Sequence, residues 1–104
     1  MSAAARRKGR DAENEVRKLW AAAGWEVTAS QRNLGGGQGD ALVRLNGRTL
    51  HVESKRQETL AVPAWLRQAK AEASPGVPPV VCFRQNRDEW YAVLSLSDLL
   101  EMIS

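Results

Sequence analysis

The chain is predicted to be an α/β (α+β) protein, with a central mixed five-stranded sheet flanked by helices in the order α-β-β-β-α-β-β-α. Three observations predict it. Apolar residues recur at helical spacing near the N-terminus, two strand-like runs meet at an Asn-Gly turn, and a second helical segment separates them from two later strands. The 104 residues suffice for one core and one domain, and 43% hydrophobic with 26% charged side chains is ordinary for a folded globular protein.

Between Asp11 and Ala23 the residues Ala12, Val16, Leu19, Trp20 and Ala23 fall at three- and four-residue spacing, which predicts an amphipathic helix ended by Gly24. Residues 1–10 precede it as a basic arm. "WEVTAS" is rich in strand formers and predicts the first strand, followed by the loop "QRNLGGGQG". "DALVRL" and "RTLHVESKR" are the next two strands, joined at Asn46-Gly47, a strong hairpin signal. Pro63 can open the second helix because the first helical turn needs no N–H donor there, and "AWLRQAKAEA" continues it to the breaker "SPGVPP". "VVCFR" then predicts a buried strand, "EWYAVL" its neighbour, and "LSDLLEMI" a closing helix capped by Ser95 or Ser97. No repeat, linker or low-complexity segment interrupts this order.

Charge is unevenly distributed. The formal total is +3, but no Lys or Arg follows Asp88, so residues 1–87 hold fifteen positive charges against eight negative, a balance of +7. A polyanionic partner on one face is one consequence, and a solvated basic surface is the other. Cys82 is the single cysteine and sits in an apolar run, as expected of a reduced core residue in a cytoplasmic protein. The N-terminus lacks the apolar stretch of a signal peptide, and no run approaches the length of a membrane span. An intracellular location is expected.

On the third strand, alternation puts His51, Glu53 and Lys55 on one face and Leu50, Val52 and Ser54 on the other. Leu50 and Val52 are expected to enter the core. The hairpin returns Asp40, at the start of the second strand, towards the far end of the third. Two carboxylates on adjacent strands with space for water and a phosphate suit Mg2+, and a nearby lysine can serve an attacking water. The same Glu-x-Lys pattern also suits a cross-strand ion pair on a solvated face.

Asp40, twelve intervening residues and Glu53-Ser54-Lys55 resemble the D…(D/E)-x-K signature of the PD-(D/E)XK nuclease superfamily, with Gly39 where a proline often stands. "RKGRDAENEVRKLWAAAGWEV" is similar to the opening of archaeal Holliday junction resolvases and their phage-encoded relatives. The resemblance extends over nearly the whole chain and implies a restriction-endonuclease-like fold. It further implies a Mg2+-dependent endonuclease, with Mn2+ as a substitute, that cuts four-way DNA junctions as a homodimer. Other nucleases on the same fold, or a non-catalytic DNA-binding module, are the alternatives.

The resemblance also assigns roles. Asp40 and Glu53 would hold the metal with a backbone carbonyl near Ser54, and Lys55 would serve the nucleophile. Helical periodicity leaves Glu13 and Glu15 on opposite flanks of the apolar stripe, roughly 70° and 90° from its centre, so either could reach inward. The Lys8-Gly9-x-x-Ala12-Glu13 pattern selects Glu13 as the catalytic acid. Arg6, Arg7, Lys8, Arg10, Arg32 and Arg56 are the expected DNA contacts, with Gly36 and Gly37 among the glycines (also Gly35 and Gly39) that let the backbone approach a phosphate. Ser30 resembles a hydroxyl that assists in some resolvases, and Gln57 continues the Glu53 face. His51 could contact the scissile phosphate, although an exposed or packed histidine suits the position better. Trp65, Trp90 and Tyr91 are expected in core or dimer contacts, the dimer forming through the second helix around Trp65 and Leu66 or through Leu99 to Ile103.

Overall fold

A computed structural model describes residues 3–29 and 41–104. The elements are α1 (Ala3–Ala22), β1 (Glu26–Ala29), β2 (Ala41–Leu45), β3 (Arg48–Arg56), α2 (Val62–Glu72), β4 (Pro79–Arg84), β5 (Tyr91–Val93) and α3 (Leu96–Ile103). Their order and the five-stranded mixed sheet are those expected from the sequence. The strands lie in the order β1-β2-β3-β4-β5. Only β3 and β4 run parallel, as the helical crossover between them requires, and the other neighbours are antiparallel.

The hairpin between β2 and β3 turns on Asn46 and Gly47, both left-handed at φ 53° and 77°. Two successive positive φ values match the right-handed twist of the flanking strands, which sets the register Val43↔Leu50 and Ala41↔Val52.

Both faces of β3 are covered. On one face Leu50 and Val52 pack with Val43, Val80, Cys82 and Val16 of α1, bordered by Trp20, Trp25, Trp90 and Met102. On the other, Val81 packs against Trp65 and Ala69 of α2, with Phe83 and Val93 at the margin. Parallel pairing aligns Glu53 with Val81, so Glu53 and His51 belong to the α2 face. Leu50 and Val52 enter the core as expected.

The N-terminal arm is a correction. Residues 3–10 are the first two turns of α1, which starts eight residues earlier than apolar periodicity indicates and ends one earlier, at Ala22. Alanine, arginine and lysine favour helix strongly enough to carry these turns past Gly9. Their side chains are largely exposed, so no apolar stripe marks them. Gly24, left-handed at φ 97°, closes the helix end as expected. Pro63 lies in the first turn of α2. Ser95 caps α3, its Oγ accepting from the Asp98 N–H at 3.3 Å, which resolves the choice between Ser95 and Ser97. β5 is shorter than the run "EWYAVL". Trp65 is a core residue whose ring centre lies 6.0 Å from that of Phe83, so it is not available as a dimer contact. No helix among the described residues is long and apolar enough to cross a membrane.

Candidate metal centre

Three side chains that could hold a metal ion come together beneath α2. His51 and Glu53 are two residues apart on β3, so the pleat turns both to one face. The His51 Nε2 lies 3.5 Å from Glu53 Oε1, and the two residues are only 2% and 3% exposed. Glu72, in the last turn of α2, completes the group: one donor atom from each residue lies within 4.8 Å of the others. Donors of one ion at about 2.1 Å are themselves about 3 to 4 Å apart, so a small adjustment of the half-buried Glu72 would close the set.

Glu72 is not among the acids that strand alternation or the family resemblance singles out. A signal for it exists all the same: Trp65, Ala69 and Glu72 stand four and three residues apart, and the first two are buried against the sheet. An acidic residue on the apolar stripe of a helix is costly to bury, and it marks a polar site on the covered face.

The remaining expected residues divide by element. Lys55 is half-buried and shares the Glu53 face by alternation, aligned with Phe83 of β4. Ser54 aligns with Cys82 and belongs to the α1 face. Asp40, Arg32, Gly36 and Gly37, together with Ser30, Gly35 and Gly39, lie outside the described residues. Gln57 is exposed just beyond the end of β3.

Glu13 is carried by α1, which covers the opposite face of the sheet from Glu53, and it is not one of the three grouped donors. Its Oε2 is 3.9 Å from Arg17 Nη2, one turn on. Glu15 occupies the other flank of α1. The indole Nε1 of Trp90 donates to Glu15 Oε1 at 2.6 Å, and Arg84 Nη2 is 3.8 Å from Glu15 Oε2. The Arg84 guanidinium also lies over the Trp90 ring, 5.5 Å from its centre. Glu15 therefore ties α1 to β4 and to the residue just before β5, and Glu13 is the acid on the flank turned away from that network.

Arg6, Arg7 and Arg10 are exposed on α1, and Lys8 is half-buried. Arg56 pairs with Arg84 in the register and is half-buried, so it is less open than a surface DNA contact.

Protein-family models and curated protein sequences both return no match to this chain.

Proposed function

We propose that the chain is a metal-dependent DNA endonuclease that hydrolyses phosphodiester bonds at branched DNA, with four-way junctions as its foremost substrate. One observation carries the proposal. Glu53 and Lys55 share a face of β3, and Ala41, the first described residue of β2, pairs with Val52 directly before Glu53. The sequence puts Asp40 immediately before β2, and two carboxylates with a lysine are the donor set this chemistry uses. The resemblance of these residues to the D…(D/E)-x-K signature supports the same reading.

The oxygen donors of Asp40 and Glu53 suit a hard divalent ion such as Mg2+. That ion, when bound, supplies polarisation of the scissile phosphate and a water of lowered pKa. Lys55, on the Glu53 face, would donate hydrogen bonds that orient the attacking water and offset charge developing on the phosphorus oxygens. Glu13 is the helix acid that the family resemblance assigns to this chemistry, although α1 carries it on the opposite face of the sheet from Glu53. Arg6, Arg7 and Arg10 are exposed on the first two turns of α1, where binding a phosphate backbone would release its counterions.

A homodimer follows from the symmetry of a four-way junction, because paired cuts need two sites related by a two-fold axis. Helix α3 is the surface for it: Leu96 is 67% and Ile103 70% exposed, and Leu99 and Leu100 lie between them on the same stripe.

A non-catalytic DNA-binding module is the rival, favoured by the burial of Glu53, since Mg2+ usually retains several waters. Incubating the purified protein and its Glu53→Gln variant with four-way, flap and linear DNA in Mg2+ tests the proposal. Cleavage by the parental protein and not by the variant is the expected result. Binding of all three substrates with no Mg2+-dependent cutting would establish the rival.

A further inference from the structure

We propose that His51, Glu53 and Glu72 form a binding site for a borderline transition-metal ion of the Zn2+ class, distinct in its donors from a Mg2+ centre. The inference deepens the hydrolase reading, because Glu53 is shared with the centre proposed there.

The donor chemistry points to this class. Mg2+ favours oxygen ligands and is reluctant to shed its water, whereas an imidazole nitrogen is a ligand of choice for Zn2+ and its neighbours. A His with two carboxylates gives three protein donors and leaves a fourth position of a tetrahedral site for water. Here the histidine is not a surface residue that happens to lie near acids. It is almost fully buried, with its Nε2 turned to Glu53 at 3.5 Å, and it reaches that position through the strand pleat.

The third donor comes from a different element. Glu72 approaches from α2, whose Trp65 and Ala69 anchor the helix against β4. The donors are thus fixed by two rigid elements packed together, which lowers the cost of assembling them around an ion. Glu72 Oε1 accepts a 3.1 Å hydrogen bond from Gln68 Nε2, one turn back on α2, which helps to hold its carboxylate in place.

Sharing Glu53 has a functional consequence. A Zn2+ ion seated on His51, Glu53 and Glu72 engages a carboxylate that the Mg2+ centre requires, so Zn2+ acts as an inhibitor of Mg2+-dependent cleavage. Removing Glu72 weakens that inhibition.

Calorimetric titration of the full chain with Zn2+, and with Mg2+ as the comparison, tests the site without reference to catalysis. The expected result is one Zn2+ bound per chain, more tightly than Mg2+, with affinity lowered at least about tenfold in Glu72→Gln and in His51→Gln. Glu72 is only half-buried, so Glu72→Gln keeps the test decisive if His51→Gln does not fold; circular dichroism and thermal melting establish which variants are native. Zn2+ affinity unchanged in folded Glu72→Gln overturns the site, whatever the protein does to DNA. Tight Zn2+ binding that depends on Glu72, in a protein that cuts no DNA, upholds the site and removes the hydrolase reading.

Discussion

The indole of Trp90, next to the start of β5, donates a 2.6 Å hydrogen bond to the carboxylate of Glu15 on α1. The two residues are 75 positions apart, and this contact distinguishes two neighbouring acids that look interchangeable on a helical wheel. Glu15→Ala removes a charge-assisted bond and leaves Arg84 without its acidic neighbour, so it should lower stability by about 1.5 to 3 kcal/mol in urea denaturation. Glu13→Gln keeps the shape of a side chain that pairs with Arg17 one turn on, so it should reduce cleavage with the fold retained, as read by thermal melting. Parental cleavage by folded Glu13→Gln would reverse the assignment.

Replacing Glu53 with Gln retains the side chain's shape while removing a charged ligand. Cleavage in Mg2+ should fall by about 100-fold or more, with junction binding preserved or improved as repulsion from the phosphates is relieved. Lys55→Ala should lower turnover with the Mg2+ requirement unchanged, because its assigned work is on the water and the transition state. A parental cleavage rate in purified Glu53→Gln would remove β3 from the chemistry.

For the basic turns of α1, binding should be read across a salt series. If Arg6 and Arg7 each neutralise one phosphate, the double change to alanine should make the slope of log affinity against log salt shallower by about 1.8. The effect should be similar on every DNA sequence, since phosphate contacts do not read bases. An unchanged slope would place DNA on another face.

Leu100→Lys with Ile103→Lys should shift the protein from dimer to monomer in sedimentation at micromolar concentration, with little loss of stability because these side chains are exposed in the single chain. Trp65→Ala should act oppositely. It empties a buried position between α2 and β4 and should cost about 3 to 5 kcal/mol of folding stability.

Burial pushes the Cys82 thiol above its ordinary pKa, partly offset by a hydrogen bond from Trp20. The native state therefore holds this proton at a pH where the unfolded chain has released it. Its contribution to stability is complete below the ordinary thiol pKa of about 8.5 and declines as pH rises beyond it. Cys82→Ala should flatten that alkaline decline in denaturation curves, and the native thiol should react slowly with alkylating reagents at pH 7.

Local chemistry makes several elements legible in the amino-acid order alone. The bounds of β3 and α3 coincide with the runs "RTLHVESKR" and "LSDLLEMI", and Asn46-Gly47 marks the hairpin because few other pairs accept two positive φ values. The first two turns of α1 are not legible in the same way, since exposed helical turns have no apolar periodicity to reveal them.

The element order and the face shared by His51, Glu53 and Lys55 follow from the amino-acid order, because strand alternation and turn chemistry depend on neighbours a few residues away. That α2 covers this face, that Glu72 joins His51 and Glu53 there, and that Trp90 bonds to Glu15 come from long-range packing. Those contacts join residues up to 75 positions apart. They depend on how helices settle onto a twisted sheet, a choice made by the packing of the whole core rather than by any local pattern.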